Sequence, residues 1–330
     1  MTLRRFAIGL CLAVGAAVIA IEAIGDGSEQ FRLKPRSAPT AGQGRSPDNP
    51  FPRTVVDDHG HTMTIPNPPQ RIASHEMTLD EILFAVVEES HIFAVSRHAF
   101  DARYSNVAAK VEGLGLPTSE DPETVLRLRP ELILAGAHAR AEWVDLLRHS
   151  GAPIYRADNS TVKLAELERL ILRMGYLAGT DDRAARVAAV FRGRLDRVRV
   201  PWTTGSAARP RILGYNRSMS YSYGVETLFH DIVTLLGGVN VGTEQGLEAY
   251  DGISSEQIAA WDPDWIVTGA DPGQSEPLRQ ALLSDPGVAM TAAARTGQIL
   301  ILPNKVFLAM SHHVIELVEG MAAAFYPEAA

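Results

Sequence analysis

Nine side chains in this sequence carry binding chemistry that a fold could gather: His75, His98, Tyr104, His138, Tyr215, Tyr221, Tyr223, Tyr250 and Asp271. Tyr215, Tyr221 and Tyr223 crowd into one short stretch. Aromatic rings that face a cleft suit a large, flat or metal-bearing ligand, and their phenol groups fix its orientation. A second chemistry is open to the same residues. His75, His138 and Asp271 each follow an apolar run that reads as a strand, and imidazole with carboxylate suits bare zinc or manganese. The fourth ligand would be Glu248 or His230, and no His-rich loop accompanies them. Taken singly, each tyrosine reads first as ordinary packing at a lobe edge, and Met219 as easily as a core methionine.

Catalysis has no motif here. Gly-x-Ser-x-Gly, His-Glu-x-x-His and the Gly-rich phosphate loops are absent, and His75-Glu76 lacks the second histidine of a zinc protease, so the chain does not read as an enzyme. The net charge of -8, with no basic run beyond the N-terminus, argues against a nucleic-acid partner. Cys11 is the one cysteine, which excludes an internal disulfide and a cysteine-ligated cluster. The 330 residues and 46% hydrophobic content allow a leader and two domains with a substantial core.

The elements that must position these side chains are set by an internal repeat. Pro122 to Gly136 and Ser255 to Gly269 each hold a Glu, a short amphipathic run, a proline seven residues later, an acidic residue and an apolar run ending in glycine. Asp121 and Ser254 are N-cap types, Pro122 suits the first helical position, and Ser254 with Gln257 fits a capping box. Each copy therefore predicts a short helix feeding a buried strand, with Glu123 and Glu256 in matched first turns. Arg71-Ile72-Ala73-Ser74 and Arg211-Ile212-Leu213-Gly214 open the two halves in similar fashion. Two related α/β lobes follow from this pattern.

In chain order, residues 1–25 read as a signal peptide or a membrane anchor. Arg4 and Arg5 precede the apolar stretch 6–24. Residues 26–53, rich in Pro, Gly and Ser, read as a flexible tether. The first lobe spans 54–160. It opens with a hairpin around Asp57-Asp58-His59-Gly60, which leaves His59 and His61 exposed, and Thr78 reads as a helix cap. A helical bridge spans 161–200, its second helix from Asp181 to Val200 forming a rigid strut. The second lobe spans 201–330, with Gly214 to Gly224 read as a tyrosine-bearing loop. The expected fold is α/β, two doubly wound lobes with mainly parallel sheets joined by a long bridging α-helix.

These pieces resemble the class III periplasmic solute-binding proteins of ABC importers, in the branch that binds iron–siderophore complexes, haem and cobalamin. The resemblance covers about Thr54 to Pro327. It is carried by Asp58-x-Gly60, Pro69-Gln70-Arg71-Ile72, Asp121-Pro122-Glu123, Arg129-Pro130-Glu131-Leu132-Ile133, Leu236-Gly237-Gly238-Val239-Asn240, Ile253-Ser254-x-Glu256 and Asp262-Pro263-Asp264-Trp265-Ile266. It implies a shallow cleft between lobes and delivery of ligand to a permease dimer in the inner membrane, with Glu123 and Glu256 meeting permease arginines. It also implies a periplasmic location, a monomer and no intrinsic cofactor, a metal chelate being cargo. Glu131 stands where the family prefers Asp, and His75-Glu76-Met77-Thr78 lacks the family's small-residue and proline pattern.

Overall fold

The computed structural model describes residues 51–114, 117–159, 162–198 and 209–327. The leader, the tether up to residue 50, and the bridge ends at Thr161 and Val200 lie outside the described residues. Among those described, no helix is long and apolar enough to cross a membrane.

The first lobe is built on a fully parallel sheet. β1 (Arg53–Val56) and β2 (Thr62–Ile65) form the antiparallel hairpin expected at Asp57–Gly60, so Arg53 belongs to the lobe rather than to the tether. β3 (Ile72–Ser74), β4 (Ile92–Ala94), β5 (Leu132–Ala135) and β6 (Ile154–Arg156) follow, in the order β4-β3-β5-β6. The hairpin is clasped to this sheet. The Tyr155 hydroxyl donates to Asp58 at 3.0 Å, the Asp158 amide donates to the same carboxylate at 3.0 Å, and Arg148 pairs with the buried Asp57.

The second lobe has β7 (Arg211–Asn216), β8 (Tyr221–Tyr223), β9 (Val239–Asn240), β10 (Tyr250–Gly252), β11 (Trp265–Ala270) and β12 (Ile299–Pro303). β9, β7, β11 and β12 run parallel, while β8 and β10 extend the sheet antiparallel. The stretch Gly214 to Gly224 is therefore a β-hairpin, not a loop. Tyr221-Ser222-Tyr223 alternates with a strand's period of two.

That period sorts each sheet into two faces. Leu132 and Leu134 of β5, with Ile212 of β7 and Val267 of β11, enter one continuous core that both lobes share. Ile133 and Ala135 pack outward beneath the helices Pro122–Arg127 and Ala141–His149. Leu213, Tyr215 and Ile266 pack outward beneath the helix Ser255–Trp261. Helices Leu164–Ala178 and Asp181–Val198 form a pair closed by Gly179, whose φ of 73° suits glycine. The second of them packs on Met77–Val86 of the first lobe and on Val314–Phe325 of the second.

The repeat is reproduced in detail. In each lobe an arginine at the head of the first strand reaches the carboxyl end of the short repeat helix. Arg71 donates to the Leu128 carbonyl at 2.6 Å, and Arg211 to the carbonyls of Trp261 and Asp262 at 2.7 and 2.8 Å. The acidic residue of the repeat answers. Glu131 accepts from the Gln70 amide at 2.6 Å, and Asp264 from the Arg211 amide at 2.8 Å. Pro210 holds the place of Gln70 and has no N–H, so the shorter Asp264 side chain binds one residue later. The residue before each repeat proline is left-handed although it is not glycine: Arg129 at φ 52° and Asp262 at φ 42°. Such backbone persists where neighbours over-determine it, and the arginine bonds supply that constraint.

Arg211→Ala should therefore cost about 2 kcal/mol of unfolding free energy, the scale of lost charge-assisted bonds. Arg71→Ala, at an exposed site, should cost about 1 kcal/mol or less. Urea unfolding monitored by the tryptophans measures both, and a neutral Arg211→Ala would contradict this account.

Candidate ligand cleft and docking surface

The strand ends of the first lobe bring His75 and His98 together. His75 follows β3, its Nε2 lies 3.0 Å from Glu120 Oε1, and its ring sits 4.6 Å from that of Trp143. His98 follows β4, and burial holds its imidazole below the usual pKa, with Arg97 adding to the effect. His75 and Glu120 also lie near enough to act on it electrostatically. His138 follows β5 and is exposed. Gly136, the last residue of the first repeat copy, is required by close approach: a Cβ there would meet Glu76 Cγ at 2.4 Å. Gly269 ends the second copy under the same constraint, against Asn304 and Phe307.

Glu76, not Thr78, caps the helix Met77–Val86, accepting from the Leu79 amide at 3.1 Å. A carboxylate reaches three residues ahead as well as a hydroxyl does. Desolvation pushes the Glu76 carboxyl up to about 7, and that of the buried Asp80 up to about 8. Asp80 accepts from the Ser96 amide at 3.1 Å and the Ser96 hydroxyl at 2.5 Å, but its Oδ1 has no partner.

Tyr104 and Asp271 approach the same Arg103 from the two lobes. Arg103 lies over the Tyr104 ring at 5.1 Å, pairs with Asp101 at 2.6 Å and reaches Asp271 at 3.9 Å. Asp271 also accepts from Asn304 at 2.7 Å. His138 is not part of this group. His230 is engaged with Thr243 at 3.0 Å. Among the described residues no group of three His, Cys, Asp or Glu side chains is placed to hold a metal ion.

The tyrosines divide. Tyr221, Tyr223 and Tyr250 form a mutual edge-on cluster with centroids 5.3 to 5.8 Å apart, and Tyr223 also packs on Phe229 and Phe307. Tyr215 projects from the opposite sheet face, among Leu213, Val241 and Ile253. The three rings, with Phe307, Met310 and Val314, line a cavity of about 30 Å³. That is a notch for a small group, far below the space a whole drug-sized ligand fills. Phe307 and Met310 carry no local signal of this role in the sequence.

Glu123 and Glu256 stand exposed on matched helices, one per lobe. Asp121 accepts from the amides of Glu123 and Thr124, and Ser254 and Gln257 complete the capping box. Two residues beyond each Glu, Val125 and Ile258 are buried against the outward sheet faces. This fixes equivalent orientations for the two glutamates. The Ser254 hydroxyl beside Glu256 holds its carboxyl below the usual range.

The chain thus forms two α/β lobes that share a core and are spanned by a helix. A family model described as periplasmic binding protein matches residues 72–306, and the chain belongs to that family. The chain is 24% identical over 278 residues to a cobalamin-binding protein of Halobacterium salinarum, covering 84% of this chain and 74% of that one. It is 22% identical over 284 residues to an uncharacterised ABC transporter substrate-binding lipoprotein, YvrC, of Bacillus subtilis, covering 84% and 87%. Among solved structures it is similar to the periplasmic haem-binding protein RhuT of Roseiflexus sp. RS-1. The TM-score is 0.64 at 21% identity, over 79% of this chain and 99% of that one.

Asp80 has a folded-state pKa near 8 against an ordinary 3.8, so between those values the folded protein holds a proton that the unfolded chain has released. Stability is then greatest near the lower value and falls as pH rises toward the upper one. Thermal unfolding from pH 4 to 8 should show this fall, to which the Glu76 carboxyl, raised to about 7, adds its own, and Asp80→Asn should reduce it, most clearly between pH 7 and 8. An unchanged slope in the variant would show that Asp80 is not the group responsible.

Proposed function

We propose that this chain is an extracytoplasmic solute-binding protein. It captures a bulky metal chelate between its lobes and delivers it to the permease dimer of an ABC importer in the inner membrane. The observation that carries this reading is the matched pair Glu123 and Glu256, exposed on equivalent capped helices, one per lobe. A partner with two equal subunits offers paired cationic sites, and arginine pairs with carboxylate through bidentate charge-assisted bonds. The lipoprotein relative supports work outside the membrane, with residues 1–25 as signal or anchor.

Among iron–siderophore complexes, haem and corrinoids, the corrinoid fits best. Haem iron takes an axial ligand from the protein, and the bond of His75 Nε2 to Glu120 leaves only the other ring nitrogen of that histidine for such a role. A corrinoid carries its own axial groups and asks the cleft for aromatic surface and hydrogen bonds. Tyr104, Tyr250, His98, His138 and Asp271 offer both, and the cobalamin-binding relative points the same way. No observation favours a bare zinc or manganese ion.

Titration of the ligand-depleted chain with cyanocobalamin, haemin, a ferric siderophore and zinc, followed by thermal shift and visible absorption, tests the ligand class. Cyanocobalamin should raise the unfolding temperature in a concentration-dependent way, and Tyr104→Ala should weaken its binding about tenfold, or ~1.4 kcal/mol. A response to zinc alone would overturn the reading.

The docking role is tested separately. Glu123→Ala and Glu256→Ala should leave ligand affinity and unfolding nearly unchanged, because both residues are exposed. They should reduce transport, and charge reversal to Arg at both sites should reduce it more. Full transport by the Glu123→Arg, Glu256→Arg double variant would remove the docking role.

A further inference from the structure

Glu81 occupies a position that neither ligand capture nor docking explains. It lies on the first-lobe helix Met77–Val86 and is 2% exposed. A carboxylate removed from water is costly unless donors surround it. Oε1 accepts from the Asn106 amide at 2.8 Å and from Asn106 Nδ2 at 3.1 Å, both within the first lobe. Oε2 accepts from the hydroxyl of Ser311, a fully buried second-lobe residue. Asn106 Nδ2 also crosses to the second lobe, donating to the Lys305 carbonyl at 2.9 Å.

We propose that Glu81, Asn106 and Ser311 form a buried latch that holds the two lobes at one separation. The shared apolar core is non-directional, and its contacts tolerate sliding. Hydrogen bonds to one carboxylate from two lobes do not, because any relative displacement strands a buried charge. Ser311 follows Leu308, Ala309 and Met310, which wall the aromatic notch opposite Tyr221, Tyr223 and Tyr250. The latch therefore holds the lobe interface and one wall of that notch through a single segment. Its release lets the lobes slide along the shared core and displaces the wall with them. The inference rests on the interlobe geometry and on no particular ligand.

The test needs no ligand. In the full chain, Cys11→Ser removes the native cysteine, and Leu146→Cys and Met290→Cys place spin labels at exposed sites, one on each lobe. Pulsed electron paramagnetic resonance then reads the distance between lobes. The labelled parent should give one narrow distribution. Ser311→Ala, which removes the second-lobe donor to Glu81 and the acceptor of the His313 amide, should add a second distance population. Should that variant fail to fold, Asn106→Ala at a half-buried site carries the test with the same expectation. A distribution as narrow as the parent's in a folded variant overturns the proposal, and so does a loss of thermal stability with the distance unchanged.

Discussion

The structure depends on one reciprocal exchange, made once in each lobe. An arginine at the head of the first strand closes the carbonyl end of a short helix. The acidic residue after that helix then accepts an amide at the head of the strand, that of Gln70 before Arg71 in the first lobe and that of Arg211 itself in the second. A six- or seven-residue helix is not stable alone in water. Here its amino end is capped by Asp121 or Ser254, its carboxyl end by arginine, and its middle is pinned by Val125 or Ile258. Glu123 and Glu256 thus project from rigid supports although their own side chains contact little. In the docking role proposed for them, two carboxylates that meet a partner simultaneously gain from such fixity, because less freedom is lost on association.

The lobes are not two domains with separate cores. Residues from both sheets, from the paired helices and from Val314–Phe325 enter one apolar cluster. Relative motion is the ordinary expectation where a domain interface is small and polar, and it is suppressed where the interface is large and hydrophobic. A hinge closure that rotated either lobe would expose part of this cluster to water, at about 25 cal/mol for each Å². The ligand entry proposed at the strand ends then proceeds with small displacements of loops such as 101–106.

Much of this was legible in the sequence because the signals are local. N-cap residues, a proline at the first turn and another after the last one define the repeat helices within a few positions, and the two glutamates follow. The likeness of Arg71 to Arg211 was visible too, but its purpose was not. The carbonyl that Arg71 binds is 57 residues away, at a helix end that sequence periodicity cannot place in space. The tyrosine hairpin was obscured by its turn. Asn216, Arg217, Ser218 and Ser220 read as loop, although the alternation in Tyr221-Ser222-Tyr223 marked a strand. That alternation also separates Tyr215 from the other two, since Tyr221 pairs with Asn216 across the ladder. Phe307, Met310 and Ser311 join the site from the far end of the chain, a contact that only the tertiary fold makes.

One helix shows how the fold handles buried charge. Glu76, Asp80 and Glu81 all lie at the head of Met77–Val86, where an apolar core would be cheaper. Their environments differ in kind. Glu76 caps its own helix, so local backbone amides offset part of its desolvation. Asp80 meets serines and keeps one oxygen unpartnered, and it resolves the conflict by holding its proton to about pH 8. Glu81 alone receives donors from both lobes. Apolar surfaces decide that the lobes associate, but many sliding arrangements bury similar area. A buried carboxylate whose donors come from two bodies is satisfied in one arrangement, which gives polar groups in cores their value for specificity rather than for stability. The position of the cleft walls relative to each other is accordingly set by this polar seam, and the apolar core supplies the force that keeps the seam closed.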